Sequence, residues 1–155
     1  AARSAIKNIT PLKQPSTQKN DDEEQINMLF DYTNEINFYE IKHELGKLLF
    51  ENVGLFRNDE DLSVALEKVE LWQKQYKTMG IGDKSKGYNK NLIEFIEFKH
   101  MLDLSNILIN CALNRKESRG AHFRTDYPKV NKNYEKRTIV MLENEELKLN
   151  FEETK

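Results

Sequence analysis

Phe38, Ile41, Leu45, Leu48, Leu49 and Val53 recur at intervals of three and four, the spacing that lines one face of an α-helix. Asn37 with Glu40 three positions later has the form of a capping box, so the pattern predicts a helix over 38–54 that stops at Gly54. The segment "RNDED" then offers Asn58 as an N-cap, with acidic residues in the first turn where the helix dipole favours them. Leu62, Leu66, Val69, Trp72, Tyr76 and Met79 give a second amphipathic helix, ended by Gly80 and Gly82. A third, capped near Asn89, runs through "LIEFIEFKHMLDLSNILINCAL" and is apolar on more than one face, which puts it at the centre with a neighbour on each side. The fold class implied is all-α: an antiparallel three-helix bundle, spectrin-repeat-like, followed by a loop and a small β-hairpin tail. Its core should hold Leu45, Leu49, Leu66, Val69, Trp72, Phe95, Leu102 and Leu108, and the helical spacing of Tyr76, Phe95 and Phe98 assigns these aromatics to packing.

The flanks follow other rules. Residues 10–24, "TPLKQPSTQKNDDEE", contain two of the three prolines among polar residues and read as linker. From Asp21 to about Glu35 a short amphipathic segment places Ile26, Leu29 and Phe30 on one side. In the tail, "RTIVMLENEELKLNF" sets two β-type runs around Glu143-Asn144-Glu145, a hairpin that needs a surface to lean on because an isolated one is marginal. The domain plan is linker over 1–24, helical bundle over 25–114, and loop with hairpin over 115–155.

Composition narrows the functions open to such a fold. The 155 residues suffice for one modest core, and 38% apolar with 32% charged residues suits a helical module. A net charge of -2 argues against a general nucleic-acid binder. Cys111 has no second cysteine to pair with and lies in an apolar helical run, so it reads as a core residue. No run is long enough to span a bilayer, "AARS" lacks a secretory apolar core, and the missing initiator Met is expected of a piece of a longer chain. The glycines nowhere form a dinucleotide fingerprint or a phosphate loop. His43 and His100 lack metal-ligand spacing and read as structural residues, so no metal, cofactor or catalytic site is assigned.

The stretch "NRKESRGAHFRTDYPKV" changes the picture. From Arg115 to Arg137 eight Lys or Arg face three acids, a local surplus of five positive charges in a chain that is slightly acidic overall. Such asymmetry marks either a contact surface or a solvated loop stapled to the bundle by ion pairs. Arginine at 115, 119 and 124 favours the contact surface, since its planar fork suits interfacial pairing. The candidate docking residues are Arg115, Glu117, Ser118, Arg119, Gly120, His122, Arg124, Asp126 and Tyr127. Ser118, His122 and Asp126 would share a face only in a continuous helix, which Gly120 and Pro128 oppose, so a hydrolytic triad is the weakest of the readings.

"RKESRGAHFRTDYP" resembles the signature in the C-terminal domain of the fumarate reductase and succinate dehydrogenase flavoprotein family, with L-aspartate oxidase a more distant relative. "ELGKLLFENVGLFRNDEDLSVALEKVELWQKQYKTMG" is similar to that family's helical hairpin, and "LIEFIEFKHMLDLSNILINCALNRKESRG" to the long helix feeding the loop. "AARSAI" resembles the end of the flavin domain, which makes 1–24 the linker from it. Ala121 resembles the succinate and fumarate enzymes, whereas Tyr134 and Lys136-Arg137-Thr138-Ile139 stand where the family often has Trp and then Lys-His-Thr-Leu. The resemblance implies a parent that interconverts succinate and fumarate with FAD and works with an iron-sulfur subunit at a membrane, on its cytoplasmic or alternatively its periplasmic face. It also implies that flavin and substrate residues lie upstream, leaving this domain non-catalytic and docked on the flavin and capping domains. The competing reading is a free-standing helical module that binds an acidic protein partner through its basic loop.

Overall fold

A computed structural model describes residues 16–143 and 146–153 of the chain. The chain divides into two compact units, Ala1–Asp31 and Tyr32–Lys155. The first contains helix α1, Ser16–Leu29. It begins within the stretch read as linker and ends before Glu35, so the proline-containing segment and the "AARSAI" likeness fall on 1–15, outside the described residues. The polar composition of this stretch does not prevent a helix, because only Gly and Pro oppose one strongly.

The second unit holds α2 (Phe38–Asn52), strand β1 (Phe56–Arg57), α3 (Asp59–Gln75) with a 3-10 turn at Tyr76–Thr78, and α4 (Lys90–Asn114). After them come β2 (Phe123–Arg124), a 3-10 turn at Lys132–Tyr134, and β3 (Lys136–Glu143) paired with β4 (Glu146–Glu153). The chain is therefore mostly helical with a small hairpin at its end. All three asparagines read as caps take that role. Asn37 accepts from the Tyr39 amide at 3.1 Å, Asn58 from Asp61 at 2.9 Å and Asn89 from Leu92 at 2.8 Å.

Helices α2, α3 and α4 share one core. Along α4 the buried positions are Phe95, Phe98, Leu102, Ser105, Ile109 and Ala112, alternating steps of three and four that keep a single seam against its neighbours. Leu45, Val69, Trp72, Phe95 and Leu102 are buried as the periodicity predicts, while Leu49 and Leu66 are half-buried. Leu108 is a correction: it is 48% exposed and Ile109 takes the core position. Both are apolar, and only the seam starting at Phe95 separates them. Cys111 is also half-buried rather than within the core. The aromatic group closes the bundle, with Tyr76 stacked on Phe95 at 4.5 Å and Phe38 edge-on to Phe95 at 5.1 Å.

Beyond α3, Met79 and Ile81 are fully buried although they bracket the glycine that ends the helical pattern. Gly80 permits this close approach, since a Cβ there would lie 2.6 Å from the Thr33 carbonyl oxygen. On this packing, Leu102→Ala should cost about 2 to 5 kcal/mol by urea unfolding, whereas Leu108→Ala should cost under about 1 kcal/mol. Equal losses at the two positions would show that the seam is misassigned.

Candidate functional site

The loop after α4 is pinned to the bundle by a short parallel bridge, in which Phe56 and Arg57 of β1 pair with Phe123 and Arg124 of β2. The Thr125 amide continues it by donating to the Arg57 carbonyl at 2.8 Å. Gly120 sits at φ 58°, in the left-handed region that glycine adopts without strain, and Arg119 and His122 bond each other's main chain across it. The glycine thus turns the chain so that His122 and Arg124 come back beneath the helix ends.

Arg124 has no exposed surface. Its Nε and Nη2 donate to Asp126 at 2.8 and 2.6 Å, Nη2 also reaches Asp59 at 3.1 Å, and Nη1 donates to the Ala112 carbonyl at 2.8 Å. Ala112 lies in the last turn of α4, where carbonyls lack intrahelical donors, and Asp59 opens α3. The Asp126 carboxylate in turn accepts the Asp59 amide at 3.0 Å. One guanidinium therefore meets the negative end of one helix dipole while its carboxylate partner meets the positive end of another.

Glu117 is the second buried charge, also with no exposed surface. Its Oε1 accepts from Arg115 at 2.7 Å and Arg119 at 2.9 Å, and its Oε2 from the Asn131 amide at 2.9 Å and Arg119 at 3.2 Å. Arg115 extends the cluster to the hairpin, donating to the Tyr134 and Lys136 carbonyls at 2.8 and 2.6 Å and lying over the rings of Tyr134 and Phe151. This is the surface the hairpin leans on. Tyr134, where the resemblance expects Trp, packs edge-on to Phe151 at 5.2 Å.

The proposed triad is not assembled. Ser118 is buried, its hydroxyl oxygen accepting from the Arg124 amide at 2.9 Å and lying 2.8 Å from the Tyr127 carbonyl. His122 accepts from Arg57 at Nδ1 at 2.9 Å and, in the tautomer this requires, donates from Nε2 to the Arg115 carbonyl at 3.0 Å. Asp126 is engaged with Arg124 and Asp59. Each of the three faces a different partner, so no proton can pass between them. Among the described residues no group of three or more His, Cys, Asp or Glu could hold a metal, and His43 and His100 are exposed.

The arginines also depart from expectation. Arg115 and Arg124 do not wait in water for a partner; their donors are engaged within the domain. Of the candidate docking set, Arg119, Gly120, Asp126 and Tyr127 retain surface, His122 is half-buried, and Glu117, Ser118 and Arg124 are buried. Sequence reading missed Arg57, Asp59 and Asn131 as members of the site. Arg57 and Asp59 flank the Asn58 cap, and Asp59 was assigned only to the helix dipole.

Electrostatics follow the geometry. Hydrogen bonds from Arg124 hold the Asp126 carboxyl at about 2. Burial pushes the Glu117 carboxyl up, but bonds from Arg119, the Asn131 amide and Arg115 outweigh it and the net shift is downward. Burial pushes the His122 imidazole down; the Arg115 carbonyl opposes this, and the charges of Arg57, Arg124 and Arg115 add to it. All three groups bind protons more weakly folded than unfolded, so each stabilises the fold above its unfolded value and loses that contribution as pH falls. Stability should decline first below about pH 6.5 as His122 is forced to charge, and again below about pH 4 as the carboxylates protonate. A pH series of thermal melts checks this, and His122→Asn should remove the first step. Stability that stays flat from pH 7 to 4 would contradict it.

Fold and site together define a helical domain closed by an internally paired, arginine-rich loop. Residues 42–155 match the family described as fumarate reductase flavoprotein C-term, and the chain belongs to this family, the C-terminal domain of fumarate reductase and succinate dehydrogenase flavoprotein subunits. It is 34% identical over 101 residues to the fumarate reductase flavoprotein subunit of Haemophilus influenzae, a match covering 64% of this chain and 17% of that protein. The succinate dehydrogenase flavoprotein subunit of Bacillus subtilis is 34% identical over 95 residues, 61% of this chain and 16% of that one. The chain thus spans under a fifth of each of these two relatives. Among solved structures, an E. coli quinol fumarate reductase superposes with a TM-score of 0.86 at 25% identity, covering 98% of this chain and 27% of that chain.

Proposed function

We propose that this chain is the non-catalytic C-terminal domain of an FAD-dependent subunit that interconverts succinate and fumarate, and that it docks on the flavin and capping domains of the same subunit. Family membership supports the oxidoreductase context. The observation that carries the non-catalytic role is the loop: its acids Glu117 and Asp126, its imidazole His122 and its serine hydroxyl Ser118 are each engaged by a neighbour within the domain. Docking uses the part of the loop that keeps surface, namely Arg119, Gly120, Asp126 and Tyr127. Residues 1–24 serve as the connection from the flavin domain.

In this reading the assembled subunit works with an iron-sulfur subunit on the cytoplasmic face of the membrane, without inserting into it and without binding nucleic acid. Among the described residues no helix is long and apolar enough to cross a membrane. The free-standing basic module loses its main support, because Arg115 and Arg124 are occupied internally and cannot recruit an acidic partner without breaking the loop. The test purifies this chain and the full-length subunit side by side. The chain alone should show no flavin absorbance after desalting and no succinate-dependent dye reduction, while the full-length subunit shows both. A flavin band retained by the chain alone would overturn the proposal.

A further inference from the structure

With its charges paired inside, the loop leaves a different feature outward: an aromatic face. Phe50 at the end of α2 is 83% exposed, and Leu55 and Phe56 in the turn that follows are 76% and 68% exposed. Phe123, across the β1–β2 bridge, is 39% exposed and meets Phe56 edge-on at 5.7 Å. Phe56 and Phe123 come from two segments far apart in sequence, brought together by the bridge, and Phe50 and Leu55 lie within six residues of Phe56 on its own segment. Scattered surface apolar residues are ordinary, whereas an aromatic cluster held in place is the usual form of an interface anchor.

The backbone that carries Phe56 and Phe123 is also held in place. The bridge is secured by the Thr125 amide on the Arg57 carbonyl, by Arg57 on His122, and by Arg124 on Asp59. Gly54 sharpens the turn that carries Leu55 and Phe56, since a Cβ there would lie 2.5 Å from the Phe50 carbonyl oxygen. Anchors already fixed in place lose little freedom on binding. Buried charges beneath them are already paired, so docking need not desolvate an unpaired ion.

We propose that the apolar part of the surface by which this domain docks on the flavin-binding part of its own subunit is formed by Phe50, Leu55, Phe56 and Phe123, in addition to the loop residues that keep surface. This rests on the docking reading above and names its contact surface. The occupant is argued from chain length: in the E. coli structure the superposed region is only 27% of its chain, so most of a subunit of this family lies outside the domain. A tethered partner of that size is present at high effective concentration and keeps an apolar face covered permanently. Permanent contacts are also the more apolar class. Other exposed apolar residues lie elsewhere among the described residues, such as Leu104 and Leu108 on α4 and Leu142 on β3, and none of these three makes a ring contact like that of Phe56 with Phe123.

The test places a photo-crosslinking p-benzoylphenylalanine in turn at positions 56, 104 and 142 of the full-length subunit in its assembled complex, and maps the products by mass spectrometry. Crosslinks from position 56 to the flavin-binding part, with none from 104, are expected. Phe56→Asp combined with Phe123→Asp should raise protease cleavage between the domains at least about tenfold, and Phe56→Leu should restore resistance. If position 56 reaches another subunit or a second copy while 104 or 142 reaches the flavin-binding part, the surface is wrong and the docking reading stands. If no position reaches the flavin-binding part, the docking reading fails and the proposal with it.

Discussion

Arg124→Ala should be the most damaging single change in the domain. It leaves Asp126, which keeps some surface, without its bidentate partner and the Ala112 carbonyl without its donor, and it empties a position that had no exposed surface. Breaking a buried charge network typically costs about 3 to 5 kcal/mol, and here the loss comes from the emptied arginine site and the Ala112 carbonyl left without a donor more than from Asp126, which water can reach. For a chain of this length the melting temperature should fall by about 6 to 20 °C. Asp59 contributes less than the other partners because it is largely exposed. Arg124→Lys should recover only part of the loss: an ammonium cannot serve both Asp126 oxygens and the α4 carbonyl in the planar geometry the site presents. A loss below about 1 kcal/mol, by calorimetry of the isolated chain, would show that water replaces the guanidinium and that the clasp is not structural.

Glu117→Gln should rank second, although it changes one atom. Both carboxylate oxygens accept, Oε1 from Arg115 and Arg119 and Oε2 from Asn131 and Arg119. An amide offers one acceptor, so in either orientation its NH₂ faces donors from Arg119 and a second neighbour. The expected cost is about 2 to 4 kcal/mol, with two cations left close together and underpaired. Because Arg115 also carries the main chain of Tyr134 and Lys136, the hairpin should loosen with it. Hydrogen exchange should accelerate in β3 and β4 before it does in α4. Uniform acceleration across bundle and hairpin would mean that Glu117 supports the whole fold rather than this attachment.

These expectations reverse one drawn from the loop's composition. Three arginines and a local excess of positive charge suggest a surface waiting for a partner, yet Arg115 and Arg124 have theirs at home. Part of the reversal was available locally: Glu117 lies two residues from both Arg115 and Arg119, and Asp126 two from Arg124. What the sequence did not carry was the return of β2 alongside β1, which brings Arg57 and Asp59 within reach from more than sixty positions away. The exposed aromatic pair has the same origin. Phe56 and Phe123 are unremarkable apart, and only the bridge makes them a pair.

For α2, α3 and α4, helix identity and helix starts were legible because their causes are local. The caps at Asn37, Asn58 and Asn89 bond amides two or three residues away, and the heptad-like seam of α4 is written in its own spacing. The loop's likeness to its family was equally local, a run of fourteen residues read in order. Tertiary structure decided the choice of Ile109 over Leu108, the burial of Met79 and Ile81, and above all which charges are inside. A charged side chain can be buried only where enough partners converge to replace its water, and those partners come from separate segments. Periodicity fixes which face of a helix is apolar, but whether an arginine lies beneath the surface or upon it depends on what the rest of the chain brings to meet it.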